Sequence, residues 1–545
     1  MEPHATLAAA ARRARDPNRP VVLVGFLRQG NLGLGYLSAT LERHGYRVEL
    51  ADVEDSPEQV LRTIRDVQPV LVGFSLIFQF YVRRFEALAR FLRANGVTAH
   101  FTMGGHFPSL SSEETLSLVP QLDSVVRFEG ELTLLELVDA LSLGADWHAI
   151  DGIAYLDGAE MRTTPTRPLL ADLDELPWPH RNVETRPVLG RTSAQLVASR
   201  GCARTCSFCS IHMFYRLAPG KLVRTRRPAE VAREMRMLRD QLGATIFMFQ
   251  DDDFPIFGPA WHRWCRALLE EIRGQGLVGE TLWKINCRAD AVDPELMAEM
   301  RDAGLYMVYM GLESGSDEGL RTLHKQTTVE QNIKAVDTLK ELGILFDFGF
   351  MMLDPSSTFE SIAENVRFLR RIVGDGSAAA EFCRMIPYDG TPIKDDLAAA
   401  GRLRGDVCNP DYDFLDPRIE TFFHRAYEAL HVTGWIHGMQ ALSPQIKFAW
   451  NELAIMRGLT PDLPGIDDYG ERLRAITRAS NETLFGAIED IADECREGRP
   501  STVSRSRLAG ECRAFVETLV ETRDAFVLES QDALLAALDR SAVTA

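Results

Sequence analysis

The chain has 545 residues, 46% of them hydrophobic and 25% charged, with a formal net charge of -18. That length exceeds what one hydrophobic core supports and predicts roughly two to four domains, while the ordinary apolar content argues against wholesale disorder. The acidic balance repels a phosphate backbone, so nucleic acid is not expected as a partner; the longest uncharged stretch, 67–82, contains Pro69 and Gln79 and is too short to span a bilayer.

Arg12-Arg13 precede the apolar run 21–27, but that run has seven residues and no small-residue cleavage site, so it reads as a first strand and not as a twin-arginine signal. Apolar runs at 21–26, 47–51, 70–76, 98–103 and 124–128 then alternate with amphipathic segments at 34–44, 57–66, 81–95, 111–118 and 132–141. Strict alternation of strand and helix predicts a doubly wound parallel sheet, placed here at 20–145. Ligands of such sheets sit beyond the carboxyl ends of the strands. Those ends carry the segments 27–31, 75–78, 104–109 and 129–131, with Ser75, Gly104, Gly105, His106, Glu129 and Gly130 as candidate contacts to a flat ligand.

A linker at 146–190, rich in Pro, Thr and Arg, leads to a second alternation. Strands are expected at 194–199, 245–250, 282–286, 306–311, 345–352 and 379–386, with helices at 228–242, 261–275, 294–303 and 333–342. Six strands of this kind suit a partial (β/α)6 barrel over 191–403. From 404 to 545 strand signals fade and a helical domain is expected, in which Tyr412, Phe414, Trp435 and His437 have the spacing of core aromatics, with pocket lining as the rival role. The predicted class is therefore α/β: a doubly wound parallel sheet, a partial barrel and a helical C-terminal domain. The basic run Lys221, Arg224, Arg226, Arg227, Arg233, Arg236 and Arg239 is interleaved in its later part with Glu230, Glu234 and Asp240, the pattern of a solvated helix face.

After the first barrel strand stand Cys202, Cys206 and Cys209, a C-x3-C-x2-C triplet with Phe208 before its last member. Three thiolates this close suit three irons of a cubane cluster and leave the fourth iron open. A structural zinc site wants four ligands, usually in separated pairs, and no second C-x2-C exists. The other six of the nine cysteines are scattered singly, which argues against a disulfide framework and for a reducing cytoplasm. Further along, Phe249-Gln-Asp-Asp-Asp-Phe254 crowds carboxylates that require a cation or donor among them. Arg288 has the chemistry to clamp a carboxylate, or to pair with Asp290 or Asp293. Glu313 and Ser314, between glycines, suit a ribose diol.

The cysteine triplet with Phe208 resembles the cluster motif of the radical S-adenosylmethionine enzymes, and Asp251, Asp252, Glu313 and Ser314 match that family's F-x-D-D-x-F and G-x-E-S-G segments. The segment Pro387-Tyr-Asp-Gly-Thr391 is similar to its P-x-x-G-T, whereas Leu353 stands where the fifth strand usually has glycine. With the N-terminal sheet, the resemblance narrows to the cobalamin-dependent branch and covers 21 to about 400. It implies a [4Fe-4S] cluster on Cys202, Cys206 and Cys209. It also implies an S-adenosylmethionine site involving Phe208, Gln250, Asp251, Asp252, Arg288, Glu313 and Ser314, and cobalamin at the strand-end residues named above. No Asp-x-His-x-x-Gly loop is present, so no cobalt-ligating histidine is implied.

In that branch one S-adenosylmethionine methylates the reduced corrinoid and a second is cleaved to a radical that activates the substrate. The implied activity is methylation of an unactivated carbon of a small molecule, fed by a low-potential donor such as a flavodoxin or ferredoxin, with no side chain required as acid or base. A non-methylating rearrangement or cyclisation uses the same residues, and a non-catalytic cluster or cobalamin sensor is the remaining alternative. RNA methylthiolation is disfavoured, since no cysteine precedes Cys202 and the C-terminal region is not basic.

Overall fold

A computed structural model describes residues 20–28, 30–181, 191–436 and 438–536. The chain divides into two compact units, the first holding the described residues up to 181 with Ser199–Arg226 and Pro387–Asp411, the second holding the remainder. Arg12, Arg13 and His437 lie outside the described residues.

In the first unit, β1 (Val21–Gly25), β2 (Val48–Asp52), β3 (Leu71–Ser75), β4 (His100–Gly104) and β5 (Ser124–Val126) pair in parallel in the order β2-β1-β3-β4-β5. Helices cover both faces, so β1 is apolar at every position, sending Val22 and Val24 into one core and Val21 and Leu23 into the other. Strand order reverses between β1 and β3, whose connections run to opposite sides, and this opens a crevice at their carboxyl ends. Two antiparallel strands, β6 (Ile153–Asp157) and β7 (Glu160–Thr163), extend the sheet edge within the stretch read as linker. Their outer residues are exposed, so alternating burial left little apolar signal. The helices follow local chemistry; Pro57–Val67, for example, starts on the Ser56 cap with Pro57 in its first turn.

The second unit begins with β8 (Thr192–Leu196), after which the chain passes through the first unit's two-residue hairpin of β9 (Ser199–Arg200) and β10 (Arg224–Thr225). The second unit then continues with β11 (Ala244–Phe249), β12 (Leu282–Cys287), β13 (Leu305–Glu313) and β14 (Leu345–Phe350), giving an all-parallel sheet in the order β14-β13-β12-β11-β8. One sheet face is closed by Phe247, Trp283, Ile285, Val308 and Phe348; on the other, Ile246 and Leu282 pack against Ile455, and the positions nearer the carboxyl ends stay half-buried or exposed. The sixth expected strand, 379–386, contributes only a bridge between Leu353 and Arg384. Its backbone is engaged elsewhere: Ala380 N–H donates to Asn481 Oδ1 at 2.9 Å and Ala380 O accepts from Ser443 Oγ at 3.2 Å.

Beyond a short hairpin, four helices follow: Pro417–Leu430, Leu442–Leu459, Ile466–Arg496 and Arg505–Glu529. Tyr412, Phe414 and Trp435 are buried, with the Arg384 guanidinium 4.3 Å from the Tyr412 ring and 4.5 Å from Phe414, so these aromatics serve as core. Among the described residues no helix is long and apolar enough to cross a membrane.

Candidate functional site

The cysteine loop hangs between β9 and β10. Gly201 opens it at φ 96°, where a Cβ would lie 1.8 Å from Leu222 O, so only glycine lets the two ends of the loop close this tightly. Cys206 is buried, and Cys202 and Cys209 are half-buried. Cys209 N–H donates to Cys206 O at 3.3 Å, and the helix Ser210–Arg216 follows at once. Among the described residues no three His, Cys, Asp or Glu side chains gather as ligands of one ion. A cubane makes no such demand, because each thiolate meets a different iron. Three cysteines on one short loop fit that donor set.

The loop is fastened to the first unit's sheet by buried ion pairs. Glu129, just after β5, accepts from Arg224 at 2.8 Å, from Arg200 at 3.3 Å and from Leu170 N–H at 2.9 Å. Glu131 accepts from Arg200 at 2.7 Å, and Asp174 from Arg226 at 3.3 Å. Burial alone would raise the Glu129 carboxyl's pKa, but Arg200 and Arg224 outweigh it and hold the value below the ordinary one. Burial would likewise lower Arg200, and Glu131 and Glu129 instead raise it. The solvated-face reading of the basic run thus holds for Arg233 and Arg236, which pair with Glu230 and Asp240 on an exposed helix face. It fails for Arg224, Arg226 and Arg239, which are buried. Arg224 and Arg226 precede the helix Pro228–Leu242, so helical spacing did not apply to them.

Of the strand-end residues read as cofactor contacts, Ser75, Gly104, Gly105, His106 and Gly130 are half-buried in the first unit. Gly105 has φ 116°, and a Cβ there would sit 2.1 Å from Leu76 O. His106 begins the helix His106–Leu110 and packs on Phe214, ring centroids 4.6 Å apart. Glu129 is committed to the arginines and not to an open surface. After β3 the loop leaves Ile77, Phe78 and Tyr81 exposed at 44%, 45% and 42%, an apolar rim suited to a flat macrocycle.

In the second unit the strand ends bring together the other predicted residues. Asp251 is buried and accepts from Ala198 N–H through both oxygens at 3.2 and 3.1 Å; Asp252 is half-buried and Gln250 exposed beside it. Arg288 donates to Asp290 at 2.9 Å and to Lys325 O at 2.5 Å, while Asp293 caps the helix Pro294–Asp302. Glu313, on a bulge at φ 65°, accepts from Lys325 Nζ at 2.9 Å. Ser314 is fully buried; its hydroxyl donates to Asn365 Oδ1 at 3.1 Å and accepts from Ser316 N–H at 3.1 Å, so it braces the turn. Sequence reasoning missed Lys325, whose only cue was its place twelve residues after Glu313. It also missed the anchors Arg200, Arg224 and Glu131, for which acidic 129–131 and the flanking arginines were the available signal.

Residues 196–369 match the model of the Radical SAM superfamily and residues 19–138 that of the B12 binding domain. An uncharacterised methyltransferase of Pyrococcus horikoshii is 29% identical over 396 residues, 71% of this chain and 82% of that protein. The anaerobic magnesium-protoporphyrin IX monomethyl ester cyclase of Rubrivivax gelatinosus is 30% identical over 354 residues, 62% of this chain and 61% of the cyclase. The fold is similar to that of the cobalamin-dependent S-adenosylmethionine radical enzyme OxsB with aqua-cobalamin bound, at a TM-score of 0.68 and 18% identity, covering 96% of this chain and 84% of that one.

Proposed function

The chain belongs to the cobalamin-dependent radical S-adenosylmethionine enzymes, and from that premise we propose that it methylates an unactivated carbon of a small-molecule substrate. The observation that carries this reading is the fastening of the C-x3-C-x2-C loop to the B12-type sheet through Glu129, Glu131, Arg200 and Arg224. When bound, the cluster supplies the electron that cleaves S-adenosylmethionine and the corrinoid supplies a methyl carrier.

The protein's part is positional. Cys202, Cys206 and Cys209 would hold three irons of the cluster, with Phe208 next to the last of them in the chain. Gln250, Asp251, Asp252, Arg288 and Glu313 would orient S-adenosylmethionine; the Asp251 carboxyl group, held in a fixed place by Ala198 N–H, offers an acceptor for its ammonium. Ser75, Gly104, Gly105, His106 and Gly130 line the corrinoid's approach. A flavodoxin or ferredoxin supplies electrons, in keeping with a cytoplasmic setting. A cyclisation or rearrangement is the second reading, favoured by the likeness to the cyclase.

Anaerobic reconstitution with iron, sulfide and hydroxocobalamin tests the proposal. We expect four irons and one corrinoid per chain, 5'-deoxyadenosine on reduction, and product heavier by one methyl group. Product without added methyl selects the second reading. Cluster loss in Cys202→Ala, Cys206→Ala and Cys209→Ala confirms the ligands, and full iron retention in all three refutes them.

A further inference from the structure

We propose that Lys284 holds an anionic group of the substrate, a carboxylate or a phosphate, on the half-buried face of the second unit's sheet. The inference rests on the reading above that the chain acts on a small molecule. β12 is the middle of the five strands. Lys284 lies in a row that crosses all of them in register: Gln195, Met248, Lys284, Met307 and Leu345. These residues fall on the half-buried face, opposite the closed aromatic one. Its row neighbours are therefore two methionines, whose thioethers are weak acceptors.

Two residues along the strands, toward the carboxyl ends where Asp251, Arg288 and Glu313 lie, the same face carries Asn286, Tyr309 and Asp347. Asp347 is the carboxylate that acts on Lys284, but it accepts from Lys447 at 2.8 Å, and Glu381 shares that same ammonium. Lys325 and Arg288 are committed to Glu313 and Asp290. Among the described residues, Lys284 is left with no hydrogen bond or ion pair, and its half-burial lowers its pKa. A cation partly removed from water without a direct counter-ion is costly, and a ligand anion recovers that cost. Tyr309 adds an O–H donor on the same face.

The test uses the reconstituted holoenzyme without a variant. Acetylation of individual lysines is followed by peptide mass spectrometry in inorganic phosphate, in acetate and in chloride of equal ionic strength, and 5'-deoxyadenosine formation is measured in the same preparation. At an anion concentration about twice its Kd, Lys284 should be modified about threefold more slowly than in chloride, while exposed Lys334 keeps its rate. Protection by phosphate alone assigns a phosphorylated substrate, by acetate alone a carboxylic acid, and by both an anion of either kind. No protection from either overturns the proposal. Because S-adenosylmethionine cleavage is read separately, protection without cleavage sinks the enzymatic reading and leaves the anion site standing; cleavage without protection does the reverse.

Discussion

Replacing Glu129 by alanine separates a structural anchor from a cofactor contact. The carboxylate accepts hydrogen bonds from Arg224 at 2.8 Å, Arg200 at 3.3 Å and Leu170 N–H at 2.9 Å, and the Arg224 side chain is 1% exposed. Truncation leaves Arg224 buried without a carboxylate and Arg200 with Glu131 alone. Removing one member of a buried charge network costs about 3–5 kcal/mol, most of it from the charge left behind. Because both arginines sit on the strands that close the cysteine loop, the loss should concentrate there. The expected results are a lower denaturant midpoint, faster hydrogen exchange across 199–226 and fewer irons retained per chain. Glu129→Gln, which keeps an acceptor but not the charge, should fall between. Were Glu129 a corrinoid contact instead, Glu129→Ala would weaken corrinoid binding while iron content and exchange at 199–226 stayed at wild-type values. That outcome would refute the anchoring argument.

Three further predictions concern the frame around the site. Burial and Arg93 hold His100 near pKa 4, against the ordinary 6.5, with Asp123 opposing. The folded state thus binds fewer protons between those values, so acidifying from pH 7 to 4 should cost up to roughly 3 kcal/mol, and denaturant titrations should show a flatter acid limb in His100→Asn. Asn365→Ala removes the acceptor for Ser314 Oγ and Gly315 N–H and the donor to Met352 O, at a cost of about 2–4 kcal/mol, against about 1 for Ser314→Ala; thermal unfolding of both variants measures the ratio, and equal losses contradict the network. Gly105→Ala places a Cβ 2.1 Å from Leu76 O in a left-handed backbone and should cost more than about 2 kcal/mol. Gly104→Ala, whose nearest contact is 3.2 Å, should cost less by the same denaturant assay.

Strand and helix alternation was legible in the sequence because each parallel strand is a short apolar run between amphipathic segments, and the cysteine loop was legible because its three thiols lie within eight residues of one another. What escaped were pairings between segments far apart in the chain. Arg224 and Arg226 carry the composition of a solvated face, and only the approach of Glu129 and Asp174, 95 and 52 residues away, turns them into buried anchors. Ser314 fits a motif, yet Asn365, 51 residues on, takes its hydroxyl. The run 379–386 has strand-forming residues, but Asn481 and Ser443, 101 and 63 residues beyond Ala380, claim its backbone.

The sequence by itself thus determined the two parallel α/β sheets, the helical C-terminal region and the short loop that carries Cys202, Cys206 and Cys209, all of which depend on local periodicity and spacing. Tertiary structure alone decided which charges are buried and with whom, and which polar side chains are already committed. Burial and pairing depend on distances between residues remote in sequence, and a residue's chemistry is set by what its neighbours leave unsatisfied.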